Sequence, residues 1–400
     1  MNDNGRTREL PALGAEFPKP DASRPEGAPE GAATARETPR GEPREAPRGE
    51  PAPDASRDSS ASRDSSASRD GSASRDGSAA REAPRGDAIT AVLPQTRGGT
   101  LVAARPLSPS ASRLRVQKTY KLFVGGQFIR SESGRYTALA DQGGEAPGAT
   151  ENVPRASRKD ARDAVRVALG AQPGWAARTA YNRAQIIYRL AEIMEGRMGE
   201  LTWELARASA CPPDVARREV ALAIDHVVSA AGWCDKFPSL LGAENPAAGP
   251  FLNVSFAEPM GVVAIVAPPL PSLLGLVDAF LPPLVAGNAS VVLVSERDPR
   301  TALTFGECLA TSDLPAGVIN LLAGDVAEVA PHLAKHQDVQ AFSLCTDDDE
   351  LARSLEEAAA ASVKRVRRSV PRPAAEARPL GLFDVEAFCE TKTVWHPAGP

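Results

Sequence analysis

The sequence predicts an α/β fold: a doubly wound parallel sheet with helices ahead of it. Three features carry that expectation. Val262 to Val266 is an unbroken apolar run, the pattern of a parallel strand buried on both faces. From there to Ala361, short β-branched runs alternate with helical segments, as in open parallel sheets covered by helices. Upstream, apolar residues recur at helical spacing over long stretches.

Taken in order, the chain of 400 residues opens on a stretch that should not fold. Met1 to Gln117 holds one aromatic residue, Phe17, among Ala, Arg, Pro, Ser, Gly and acids. Ala-Ser-Arg-Asp-x-Ser repeats from Ala55, Ala61, Ala67 and Ala73, and Pro-Arg-Gly recurs at Pro39, Pro47 and Pro84. So little apolar surface cannot offset the entropy of ordering the backbone, and units this short and polar cannot stack as a solenoid. A disordered low-complexity tail is expected over 1–117, with the folded part from Lys118 onward.

Tyr120 to Arg130 reads as a β-hairpin, Gly125-Gly126 supplying the positive φ of a two-residue turn. A polar loop through Gly143, Gly144 and Pro147 follows. Ser157 and Asp160 form a capping-box-like start for a short helix with Ala161, Val165, Ala168 and Leu169 on its inner face. A longer helix is expected from about Asn182 to Glu204 and another from about Val215 to Lys236, where Ala223, Val227, Ala230 and Trp233 repeat the pattern. Strands are then expected at 262–266, 290–294, 318–322 and 339–344. Helices should separate and follow them at 270–285, 301–310, 326–335 and 350–361. The basic run Lys364 to Arg368 reads as a solvated helix end.

Composition narrows the function classes. Net charge is −5 with both signs interspersed, so no nucleic-acid surface is expected. Met260 to Ala286 is long and apolar, but its prolines and Asp278 argue against a membrane span. The N-terminus has no apolar signal segment, and the five cysteines are scattered without a CxxC pair. Reduced thiols in the cytoplasm are expected. His332 and His336 stand at i, i+4 spacing but lack a third ligand, so no metal site is expected.

Between Glu258 and Asn320 the residues become specific. Glu258-Pro-Met-Gly261-Val-Val, Leu284-Val-Ala-Gly287-Asn288, Ser295-Glu296 and Leu314-Pro-Ala-Gly317-Val-Ile-Asn320 stand in one order and spacing. With the Tyr120 hairpin and His336-Gln-Asp338-Val339, this chain resembles the aldehyde dehydrogenase superfamily from about Tyr120 to Arg368. The closing Glu390-Thr-Lys-Thr-Val-Trp395-His-Pro397 is similar to the end of truncated paralogues that resemble the second, nucleophile-lacking domain of family-16 type enzymes.

That resemblance implies a Rossmann-type sheet over 118–368, a linker over 369–387 and a C-terminal oligomerisation strand over 388–400. It also implies chemistry this sequence does not carry. The family attacks an aldehyde with a cysteine thiolate in a Gly-Gln-x-Cys context, on a separate domain that follows the sheet. Here about twenty residues separate Arg368 from Phe388, far below the ~50 a domain needs. None of Cys211, Cys234, Cys308, Cys345 or Cys389 has the required neighbours. No catalytic residue is expected. Leu270 stands where the family has its oxyanion-binding Asn, and Leu cannot donate a hydrogen bond.

The cofactor site implied by the resemblance is eroded as well. Leu293-Val294-Ser295-Glu296 replaces Lys-Pro-Ser-Glu, leaving Ser295 and Glu296 as vestigial cofactor-binding residues. Val326 and Ala330 replace glycines that let a helix approach the nucleotide. Asp347 to Glu350 puts carboxylates at a helix N-terminus whose free N–H groups would otherwise attract phosphate. NAD binding is expected to be weakened or lost. The family's oligomerisation arm corresponds to Pro250 to Ala257 and Phe388 to Trp395, so a full-length aldehyde dehydrogenase subunit is the expected partner. The chain then reads as a non-catalytic structural or regulatory subunit. The alternative is an NAD(P)-dependent oxidoreductase acting on aldehydes, which needs a thiol facing the nicotinamide. In a third reading the sheet or the tail binds something else.

Overall fold

In the computed structural model, which describes residues 117–140 and 150–398, the chain enters through the expected hairpin. β1 (Leu122–Val124) and β2 (Gln127–Ile129) pair antiparallel, with Leu122 opposite Ile129. Gly125 and Gly126 take φ of +63° and +75° in the turn, a conformation that disfavours a side chain. The expected tail up to residue 116 and the polar loop with Gly143, Gly144 and Pro147 lie outside the described residues. On either side of that loop, β3 (Tyr136–Ala140) and β4 (Thr150–Pro154) form a two-stranded ribbon. No period-two signal marks this ribbon, because β3 is largely exposed on both faces.

α1 (Arg158–Ala176) starts on the capping box. Ser157 Oγ accepts from the Asp160 amide at 3.3 Å, and Asp160 Oδ2 accepts from the Ser157 amide at 2.8 Å. The helix is longer than expected and passes through Pro173. Its buried stripe is Ala161, Ala164, Val165 and Ala168, while Leu169, expected inside, is exposed. The single helix expected over 182–204 is two, α2 (Ala180–Gly196) and α3 (Met198–Ser209). The break follows Gly196, a weak helix former, and falls on Arg197, whose guanidinium turns to Glu200 and to Glu307. α4 (Pro213–Ala231) buries Ala223, Val227 and Ala230 as expected, but it ends before Trp233. α5 (Lys236–Leu241) is a separate short helix.

The chain then makes β5 (Ala243–Asn245), β6 (Phe251–Pro259) and the buried β7 (Val262–Val266). Next come α6 (Ser272–Ala286), β8 (Ala289–Leu293), α7 (Pro299–Thr311), β9 (Ile319–Leu322), α8 (Val326–Ala334), β10 (Ala341–Cys345) and α9 (Asp349–Ala360). These match the expected alternation within a few residues. The Lys364 to Arg368 run is not a helix end. It contributes to β11 (Arg365–Ser369), which pairs parallel to β10 with Arg365 opposite Ala341. Each of its arginines has a polar partner, so a charged sequence can serve as a sheet edge. The connection read as a linker holds one 3-10 turn, Ala374–Glu376, and α10 (Leu382–Glu386), and leads into β12 (Cys389–Pro397).

The main sheet has seven strands in the order β11-β10-β7-β8-β9-β1-β2. β11 through β9 are mutually parallel, and the β1–β2 hairpin adds antiparallel to β9. Strand order reverses between β7 and β10, as a doubly wound sheet requires. A separate sheet, β12-β6-β5, carries the C-terminal strand, with Cys389 opposite Pro259 and Pro397 opposite Phe251.

Two asparagines of the motifs that carried the resemblance act as fasteners. Asn288 Oδ1 accepts from the Gly261 amide at 2.8 Å, and its Nδ2 donates to the Phe388 carbonyl at 2.9 Å. Asn320 Oδ1 accepts from the Gly125 amide at 2.9 Å, and its Nδ2 donates to the Gly317 carbonyl at 2.8 Å. Both side chains are fully buried, where an amide is stable only when hydrogen-bonded.

Candidate functional site

The candidate site is the crevice at the carboxyl ends of the parallel strands, beside the β7/β10 reversal. Open α/β sheets take ligands there because strand ends and helix N-termini converge on one opening. The structure places the expected cofactor residues at its β8 side, where both have internal partners. Ser295 is buried; its hydroxyl donates to the Pro269 carbonyl at 2.7 Å and accepts from the Asp298 amide at 3.1 Å. Glu296 is exposed, and its carboxylate accepts from the Val326 amide at the start of α8.

The helix ends that would meet phosphate are capped from within. At α9, Asp348 Oδ1 accepts from the Glu350 and Leu351 amides, each at 3.0 Å. Asp349 beside it is paired with Arg368 of β11. At α8, Asp325 Oδ1 accepts from the Glu328 amide at 3.1 Å, and Arg155 bridges Asp325 at 3.0 Å and Glu328 at 2.8 Å. Leu293, in the position of the family's lysine, is fully buried in β8.

Among the described residues, cavities open on this edge at two places. One, of about 310 Å³, lies under the β3–β4 ribbon and is lined by Arg155, Glu296 and Asp325. The other, of about 300 Å³, lies between α6, the ends of β7, β10 and β11, and the connection to β12. Asp384 of α10 pins that connection. It accepts from Arg367 at 2.6 Å, from Arg378 at 2.9 Å and from the Gly381 amide at 3.0 Å. Burial alone would raise this carboxyl, but the Arg367, Gly381 and Arg378 hydrogen bonds outweigh burial and hold it below the ordinary range.

The five cysteines are free and separate. Burial pushes the thiols of Cys234, Cys308 and Cys389 each up to about 12, so none is a ready nucleophile at neutral pH. Cys211 and Cys345 are half-buried, and burial raises both. Burial lowers His332 and His336, and among the described residues no group of three or more His, Cys, Asp or Glu is arranged to hold a metal.

Three charged nodes escaped the sequence reading: Asp384, Asp298 and Arg207. Asp298 caps α7, and its Oδ2 accepts from Ser272 at 2.9 Å and Thr301 at 2.6 Å. Arg207 sits among Glu151, Glu204 and Tyr120, all buried. Their partners lie far apart in sequence, and only the Ser/Thr/Asp-before-helix pattern at Asp298 offered a local clue.

Comparison with known proteins accounts for this architecture. The sequence profile described as "Aldehyde dehydrogenase family" matches residues 145–369, more than half of the chain. The chain is 31% identical to DhaS of Bacillus subtilis (strain 168) over 256 residues, 63% of this chain and 50% of that protein. It is 31% identical to the cytosolic 10-formyltetrahydrofolate dehydrogenase of Mus musculus over 265 residues, 64% of this chain and 29% of that one. Among solved structures, PnpE in complex with nicotinamide adenine dinucleotide superposes with a TM-score of 0.59 at 26% identity, covering 63% of this chain and 51% of PnpE. This chain thus spans half or less of the length of the curated relatives it matches here. No helix among the described residues is long and apolar enough to cross a membrane. The chain belongs to the aldehyde dehydrogenase family.

Proposed function

We propose that this chain is a non-catalytic structural or regulatory subunit of a full-length NAD-dependent aldehyde dehydrogenase, working in the cytoplasm. The observation that carries this reading is the passage from β11 to β12. Ser369 and Cys389 bound it, and residues 370–388 fill it with a 3-10 turn and the five-residue α10. A folded domain needs on the order of 50 residues. The nucleophile-bearing domain that the family places between these strands therefore has no room there, wherever the chain itself begins or ends.

The capped helix ends support the same reading. A dinucleotide's phosphates would meet Asp347, Asp348 and Asp349 at α9, with two of the helix's free amides already taken by Asp348. The residues present do not fit NAD, and no hydride step is assigned to this chain.

Docking would run through β6 and β12. β12 lies at the edge of its sheet, and its backbone can add a strand to a partner's sheet while its exposed side chains set the fit. Isolation at native abundance, followed by size-exclusion chromatography and mass spectrometry, tests this. Co-elution with a larger aldehyde dehydrogenase polypeptide is expected. Elution as a free chain, or turnover of NAD with an aldehyde by this chain alone, would sink it.

A further inference from the structure

The cavity beneath the β11–β12 connection has walls of two kinds. Its floor is apolar, with Val266, Pro268, Pro282, Leu380 and Phe388. Its rim is charged, and most of those charges are spent. Arg367 and Arg378 share Asp384, and Arg368 is paired with Asp349. Asp278 on α6 holds His226 Nδ1 at 2.6 Å. Glu376 is exposed at the opening. Arg372 is the one lining guanidinium with no carboxylate partner among the described residues.

Arg372 and Cys345 both line this cavity. Burial raises that thiol, while a Ser369 hydrogen bond and the positive charge of Arg372 pull it down. The cavity also sits at the strand-order reversal, where sheets of this build take ligands. About 300 Å³ is at the lower end of small-molecule pockets.

We propose that this cavity binds a small monocarboxylate with an apolar body, its carboxylate paired with Arg372 and its body lying on Pro268, Pro282 and Leu380. One negative charge fits better than two, because Asp278, Glu376 and Asp384 also face the space and would repel a dianion. A cationic ligand would be left with Glu376, exposed at the opening and away from the apolar floor, because Asp278 already holds His226 and Asp384 is shared by Arg367 and Arg378. The inference is independent of the docking role: Arg372 and the floor belong to this chain alone.

The test is calorimetric titration of the full chain with hexanoate, hexylamine and inorganic phosphate. Saturable binding of hexanoate alone is expected. Arg372→Gln should weaken it about tenfold or more, the size of a lost charge-assisted hydrogen bond. Arg372 is exposed and makes no ion pair, so circular dichroism should show the variant folded. Hexanoate should also slow iodoacetamide labelling of Cys345, read by mass spectrometry, and leave labelling of Cys211 unchanged. Absence of hexanoate binding, equal binding by hexylamine or phosphate, unchanged affinity in R372Q, or unprotected Cys345 would each overturn the proposal.

Discussion

Phe251 and Trp395 meet on the diagonal of the β6–β12 pair, ring centroids 6.0 Å apart and planes at 74°. Both rings remain exposed, at 45% and 58%. An edge-to-face aromatic pair left open to water at the end of an unpaired edge strand is poor value for folding and well suited to a partner. Replacing both, Phe251→Ser with Trp395→Ser, should change stability by only about 1 kcal/mol. The same variant should lose co-purification with the larger dehydrogenase. A stable variant that still co-elutes would remove this pair from the interface.

The capped helix ends predict silence toward nucleotide. Titration of the full chain with NAD should give no saturable signal, because Asp348 occupies the Glu350 and Leu351 amides and Asp347 and Asp349 flank them. Saturable binding tighter than about 100 μM would contradict it. Asp348→Ala should cost about 1 kcal/mol through loss of the N-cap, read by urea denaturation.

The parallel sheet was legible because its strands are buried on both faces, so Val262 to Val266 needs no partner to be recognised. The capping box at Ser157 and Asp160 was legible because both halves are local. β11 was not, since a charged edge strand has no apolar period, and what fixes its arginines is Asp349, Asp384 and Cys389 elsewhere in the chain. Glu296 was singled out by its place after β8 as a vestigial cofactor residue. Its hydrogen bond to the Val326 amide depends on how the β8 and β9 ends meet, which sequence does not state. The motif residues Asn288 and Asn320 mark the family while serving as internal fasteners, so those motifs identify ancestry without specifying chemistry.

Asp384 should give the β11–β12 connection an acid limit. Its folded-state carboxyl is held below the ordinary range, so its contribution is full above the unfolded value near 3.9 and is lost as pH falls through the depressed folded value. Asp384→Asn should destabilise by about 1.5–3 kcal/mol at pH 7. The gap between variant and wild type should close only in acid. A gap that stayed constant from pH 7 down to about 2 would show that the Asp384 charge is not what holds α10.

Arg207 offers the strongest stability test. Its guanidinium lies 2.7 Å from Glu151 and 2.7 Å from Glu204, with the Tyr120 hydroxyl at 2.6 Å. These groups join α3 to β4 and to the start of the hairpin, and all are buried. Removing one partner from a buried ion pair strands the other in low dielectric, at a cost of about 3–5 kcal/mol. Glu204→Leu should approach that figure in urea denaturation. Glu204→Leu with Arg207→Leu leaves one carboxylate, Glu151, still facing Arg300 at 3.5 Å. The double variant should therefore lose clearly less than the sum of the two single changes, a coupling energy of about 1–3 kcal/mol. Strict additivity would mean that water, and not the opposite charge, already compensates these groups.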